Sequence, residues 1–230
     1  MDSMFRKRLA RLLWPKYSFN VDLVNRNAQM WREIEKHRRL GAREFATREE
    51  MYAFLNPQVP ISYLEFGVWR GDSMREWTRL NGNMESRFYG FDSFEGLPED
   101  WQLSFGGEMK ASQFDVNGKV PYLADDRVRF VKGWFQRTLA GFLAGAELLH
   151  PIVVHNDSDL HSSTQYVLSC LDGILRPGDI VIFDEYGSPM NEFFAWEEYK
   201  RAFMREARCL SMSAHSMQAA FVLTNRAACL

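Results

Sequence analysis

Short apolar runs alternate with helical patterns through the middle of this chain, and that alternation limits its fold more than any other feature. ISYLEF (Ile61 to Phe66), RFYGF (Arg87 to Phe91), RVRFV (Arg127 to Val131), IVVHN (Ile152 to Asn156) and DIVIF (Asp179 to Phe183) have the length and side-chain type of strands. Stretches at helical spacing separate most of them: Ser73 to Leu80, Thr138 to Leu149 and Thr164 to Ile174. Strands that are apolar on both faces and separated by helices form a parallel sheet with helices over each face. A long helix is expected from about Asn191 to Ala207. SMSAHS and AAFVLT then follow with too little chain between them for a crossover helix, so the final pair is expected to be antiparallel.

Ahead of this pattern, residues 21 to 55 read as helical, with Leu23, Met30, Trp31, Ile34 and Leu40 recurring among charges, until Pro57 and Pro60 interrupt them. The expected division is an N-terminal helical segment, 1–57, and a sheet domain, 58–230. Hydrophobic residues make up 46% of the chain, enough for a packed core. A net charge of −2 offers a polyanion no general attraction, so nucleic acid is not an expected partner. No apolar run approaches the roughly 18 residues of a membrane span. The basic stretch FRKRLARLLW reads better as a solvated first helix with one packed face than as a membrane-surface helix. Cys170, Cys209 and Cys229 form no CxxC pair and read as free thiols in a reducing compartment. A cytoplasmic protein is expected, with a homo-oligomer left open. Pro98 to Tyr122 fits no element and contains Gly106, Gly107 and Gly118; an active-site lid and a passive connector both remain open for it.

Ligands of open α/β sheets bind at the carboxyl ends of the strands. The first strand ends in EFGVWRG, with Gly67 and Gly71 but bulky Trp69 between them. A pyrophosphate needs the barer GxGxxG turn. The present turn suits a ligand carrying an amino-acid carboxylate and an ammonium, the latter facing Glu65, although a purely structural turn has the same appearance. The second strand ends in FDSFEGLP, where Asp92 can accept two ribose hydroxyls or serve only as a turn residue. After the third strand, Gly133 opens a turn in which Trp134 or Phe135 can stack on an adenine or pack on the helix below.

Acids gather after the last two of these strands. HNDSDLHSST supplies Asp157 and Asp159, and DEYGS supplies Asp184 and Glu185. Asp159 reads as a helix cap. Asp157, Asp184 and Glu185 read as oxygen ligands for a hard divalent ion such as Mg²⁺, or as substrate ligands, because no lysine or arginine adjacent in sequence neutralises them. His161 is a candidate base, against the plainer reading of a packed histidine, and the same caution covers His155 and His215. No His/Cys spacing suggests zinc, and no GxSxG or phosphate-binding loop is present.

Taken in order, YLEFGVWRG, FYGFDSFEGLP, DSDLHSST and LRPGD followed by IVIFDEY resemble the macrocin O-methyltransferase family of class I methyltransferases. The resemblance implies a Rossmann-like α/β fold with a seven-stranded, mostly parallel sheet whose last strand is antiparallel. It implies S-adenosylmethionine as cofactor, held by Glu65, Phe66, Gly67, Val68, Trp69 and Gly71 around its methionine part. Asp92, Ser93, Phe94 and Gly96 would hold the ribose and flank the adenine, with Gly133, Trp134 and Asp157 completing the cofactor site. It implies Asp157, Asp184 and Glu185 as Mg²⁺ ligands and Asp157 as a base, on a small-molecule acceptor that is a sugar or a glycosylated natural product. The chain departs from the family pattern in carrying Glu185 where an aspartate is usual, His161 where a tyrosine is common, and Gln136 and Arg137 where acids often stand. Metal-free methylation of a phenol or amine, and a silent cofactor-binding scaffold, are the alternatives.

Overall fold

The computed structural model describes residues 3–103, 107–213 and 217–225, with side chains from residue 21 onward. Gly106, His215, Cys229 and the side chains of FRKRLARLLW therefore lie outside the described residues.

Eight strands form the main sheet, in the order β1-β9-β10-β8-β7-β2-β3-β6. They are β1 (Arg43–Phe45), β2 (Ser62–Phe66), β3 (Arg87–Asp92), β6 (Val128–Lys132), β7 (Ile152–Asn156), β8 (Ile180–Phe183), β9 (Ala207–Ser213) and β10 (Ala219–Leu223). β10 lies between β8 and β9 and is antiparallel to both, whereas the other neighbours in this sheet pair in parallel. The expected antiparallel pair is therefore present. The sheet has one strand more than expected, because Arg43 to Phe45, inside the stretch that reads as helical, pairs with the edge strand β9. Its flanks are α1 (Ser3–Arg39) and α2 (Arg48–Leu55), so Gly41 and the capping turn at Thr47 divide that stretch.

The remaining helices are α3 (Asp72–Leu80), α4 (Phe135–Gly145), α5 (His161–Leu171) and α6 (Glu192–Ala202). α4 and α5 begin three residues before their expected starts at Thr138 and Thr164; the first turn of α5, His161 to Ser163, is polar and carries no hydrophobic signal, and in α4 Gln136 and Arg137 interrupt the pattern after Phe135. α6 stops at Ala202, short of the expected Ala207, which instead opens β9. Pro98 to Tyr122 is not featureless. It holds a short antiparallel pair, β4 (Trp101–Gln102) with β5 (Glu108–Met109), and a 3-10 turn at Ala111–Phe114.

Every residue of β2 is buried, and successive side chains serve opposite faces. Leu64 and Phe66 pack with Ile34 of α1, Leu168 of α5 and Trp196 of α6. Tyr63 packs with Tyr52 of α2, Trp77 of α3 and Ile182 of β8. Fully burying each such side chain contributes about 1.5–3 kcal/mol. Two filled faces leave the carboxyl ends of β2, β3, β6, β7 and β8 as the place where loops and cavity meet. No helix among the described residues is long and apolar enough to cross a membrane. Cys170 and Cys209 are unpaired.

Candidate active site

A cavity of about 230 Å³ opens at those strand ends. Its walls at one end come from the turns after β2, β3 and β6, and at the other from the turns after β7 and β8. Trp101 and Phe114, from the segment between β3 and β6, complete it.

At the first end, the backbone is organised around Asp92. Its Oδ2 accepts hydrogen bonds from the N–H groups of Val68 (2.7 Å) and Trp69 (2.8 Å), and its Oδ1 from that of Phe94 (2.6 Å). One carboxylate thus ties the β2 turn to the β3 turn. Trp69 and Phe94 are both held in the left-handed region, at φ 49° and 58°. Such conformations persist where surrounding bonds over-determine them. Gly67 has φ +95°, and a Cβ there would stand 1.8 Å from the carbonyl oxygen of Asp157, so only glycine lets these two loops touch. Beneath the turn, Glu65 is fully buried. Its Oε1 accepts from the hydroxyl of Ser73, its Oε2 has no partner, and burial pushes its carboxyl up to about 7.

The second end is built differently. Burial, then the charges of Asp184 and Asp159, drive the Asp157 carboxyl well above its ordinary range. Burial and Asp184 push Asp159 up to about 7 and Glu185 up to about 8. Burial works against ionising Asp184 as well, but His155 and Arg48 outweigh it and hold that carboxyl below the usual range. Arg48 Nη1 lies 3.8 Å from Asp184 Oδ1, an oxygen that is buried and accepts no hydrogen bond. Glu192, the first residue of α6 and fully buried, clamps both loops. Its Oε1 accepts from Asn156 Nδ2 (2.7 Å) and Ser158 N (3.2 Å), and its Oε2 from Glu185 N (2.8 Å).

The macrocin-O-methyltransferase (TylF) family matches residues 37–208. The chain belongs to this family. It is 38% identical over 144 residues to the 8-demethyl-8-(2,3-dimethoxy-α-L-rhamnosyl)-tetracenomycin-C 4′-O-methyltransferase of Streptomyces olivaceus, covering 56% of this chain and 54% of that one. To the demethyldecarbamoylnovobiocin O-methyltransferase of Streptomyces niveus it is 31% identical over 144 residues, covering 56% and 53%. The chain spans about half the length of these curated relatives. The crystal structure of the calicheamicin methyltransferase CalS11 superposes with a TM-score of 0.60 at 23% identity, over 76% of this chain and 77% of that one. The fold is that of the class I methyltransferases.

For this family member the cavity sorts the expected cofactor residues. Gly67, Trp69, Asp92, Ser93, Gly96, Trp134 and Asp157 line it. Phe66, Val68 and Phe94 are instead buried in the interior, because their side chains point away from the strand ends into the packing of the sheet. Gly71 caps α3, and Gly133 donates its N–H to Asp92 O, so both shape turns behind the lining. Asp92 spends most of its acceptor capacity on backbone, which makes it chiefly an organiser of the turn. S-adenosylmethionine fits the turn: Gly67 gives close access to backbone, and Glu65, beneath the turn and outside the cavity lining, keeps Oε2 without a hydrogen-bond partner.

A hard cation also fits. Among the described residues, ligand atoms of His155, Asp157 and Asp184 lie within 4.8 Å of one another. His155 was not an expected member of that group, and Glu185 lines the cavity beside it rather than within it. Both ring nitrogens of His155 are engaged, Nδ1 with Tyr63 Oη (2.6 Å) and Nε2 with Tyr52 Oη (3.2 Å), which leaves the carboxylates as the open donors.

Two further expectations require correction. His161 is not at the cavity: its Nε2 pairs with Glu198 Oε2 at 2.9 Å and its ring stacks on Phe194, because the first turn of α5 faces α6. Asp159 is not a cap. Leu160 holds the N-cap position without a side-chain bond, and Asp159, at φ 61°, lines the cavity. Sequence reasoning missed Arg48 and Glu192. The only local signal for Arg48 is its place beside a capping threonine, and Glu192 reads as an ordinary acidic first turn.

Proposed function

We propose that this chain is an S-adenosylmethionine-dependent O-methyltransferase acting on a hydroxyl of a sugar or glycosylated natural product, assisted by a divalent cation such as Mg²⁺. The carrying observation is the two-ended cavity: a backbone-built turn over the buried Glu65 at one end, and four carboxylates at the other. The matched relatives, whose names describe O-methylation of a rhamnosyl tetracenomycin and of demethyldecarbamoylnovobiocin, support the acceptor class.

S-adenosylmethionine supplies an electrophilic methyl group with a good leaving group, and a divalent ion held by Asp157 and Asp184, with Glu185 beside them on the cavity wall, would make an alkyl hydroxyl more acidic. The chain's own residues then position and deprotonate. Glu65 faces the ammonium end of the cofactor, and Asp92 keeps the glycine turn in the shape that receives it. Asp157, raised in pKa and at the boundary of the two ends, takes the acceptor's proton. Glu192 fixes the two acid-bearing loops relative to each other. Trp101 and Phe114, which line the cavity from the segment between β3 and β6, would cover the acceptor and keep water from it.

Calorimetric titration with S-adenosylmethionine and, in parallel, NAD tests the cofactor assignment; heat with NAD and none with S-adenosylmethionine would refute it. Turnover of a glycosylated acceptor with and without a chelator tests the metal, and full activity in the chelated enzyme would remove it from the mechanism.

A further inference from the structure

Arg48 occupies an unfavourable place for a cation. It is the first residue of α2, where the helix dipole is positive. The helix start is rigidly made: Thr47 accepts from Glu50 N, and the Glu50 carboxylate reaches back to Ala46 N at 3.0 Å. α2 is also anchored in the core through Met51, Tyr52 and Leu55. The backbone that carries Arg48 is therefore set by packing. From it the guanidinium reaches Glu49 (3.2 Å) and, across the sheet's end, Asp184 (3.8 Å). Among the described residues it is the one lysine or arginine within ion-pair distance of Asp157, Asp159, Asp184 or Glu185.

We propose that Arg48 is the built-in counter-cation of the acid cluster, standing in for the charge of the divalent ion and setting how tightly that ion binds. The proposal rests on the metal-assisted reading above and adds a residue from outside the strand-end loops. Its geometry is that of a charge partner and not of a hydrogen-bond donor: 3.8 Å leaves Asp184 Oδ1 free to accept a ligand. A second cation entering at Asp184 meets the repulsion of the first, so the arginine moderates affinity and keeps the empty site from accumulating uncompensated negative charge. Its side chain is 38% exposed, so solvent screens much of the repulsion, and the effect expected is about tenfold in affinity.

The test is calorimetric titration of the full chain with Mg²⁺ alone, for wild type, Arg48→Met and Arg48→Lys. Arg48→Met should bind Mg²⁺ about tenfold more tightly, and Arg48→Lys should stay near wild type. Damage to the fold would weaken metal binding, so tightening separates a charge effect from a structural one. Unchanged or weaker binding in Arg48→Met overturns the proposal, as does equal tightening in Arg48→Lys. If neither wild type nor Arg48→Met binds Mg²⁺, both this proposal and the metal assignment fail. Binding of S-adenosylhomocysteine by the same samples then shows that the methyltransferase reading itself survives.

Discussion

The two ends of the cavity hold acids in opposite ways. After β2 and β3, Asp92 receives three backbone N–H groups, and the loops around it keep left-handed conformations at Trp69 and Phe94. After β7 and β8, Asp157, Asp159 and Glu185 are pushed upward by burial and then by the charge of Asp184, which Arg48 faces at 3.8 Å. The turn at the first end is built before a ligand arrives, and only Glu65 beneath it, raised by burial and short of one partner, is left unsatisfied. The second stores unfavourable charge that a proton or a cation relieves. On the function proposed above, binding and chemistry would thereby be separated: a preorganised surface would receive the cofactor, and a strained electrostatic one would act on the acceptor.

Substitutions that affect one end and not the other test this division. The largest effect is expected from Asp157→Asn, which keeps the shape and removes the proposed proton acceptor. Turnover of a glycosylated acceptor should fall about 10²–10⁴-fold, while calorimetric affinity for S-adenosylhomocysteine stays near wild type; a variant with normal turnover would take Asp157 out of the base role. Asp92→Ala should do the reverse. Charged hydrogen bonds are worth about 1.5–3 kcal/mol, so cofactor affinity should drop roughly ten- to a hundredfold, and an unchanged dissociation constant would show that the first end does not need its organiser. Asp184→Asn should weaken Mg²⁺ binding by about tenfold, with activity partly restored at high Mg²⁺; activity that ignores Mg²⁺ concentration in this variant would mean that Asp184 holds no metal.

The smallest effect concerns stability under the second end. His37 of α1 is buried against Tyr186, its Nε2 3.1 Å from the tyrosine Oη, and burial, followed by the charge of Lys200, lowers its pKa from 6.5 to about 4. The unfolded chain therefore takes up this proton first as pH falls. Stability from the neutral imidazole is complete well above 6.5 and declines as pH drops toward 4, by about 1.4 kcal/mol at pH 5.5. Urea unfolding of wild type and His37→Gln across this range should show acid sensitivity in the former that is reduced in the latter. Identical pH profiles would place the acid-sensitive contact elsewhere.

Much of this molecule was legible from residue order. Five strands and their helices stand close to their expected positions because apolar runs and their spacing are local properties, dictated by which faces of an element must be buried. The strand-end motifs were legible for the same reason, since a parallel sheet delivers successive strand ends to one rim. β1 was hidden by its length of three residues, too short for a period, and by helical sequence on either side. Asp159 and His161 were misassigned because the first turn of α5 begins earlier than its apolar pattern and turns His161 toward α6.

From the chain alone came the layered α/β architecture, the antiparallel end of the sheet and the set of acids at its rim, since periodicity and connection length suffice for these. The tertiary structure alone decided which acids are satisfied and which are left in tension. Asp92 is quieted by amides from a neighbouring strand's turn, Glu192 arrives from α6, and Arg48 arrives from α2 to face Asp184. The energy of a charge depends on burial and on partners within a few ångströms, and those partners come from distant parts of the chain.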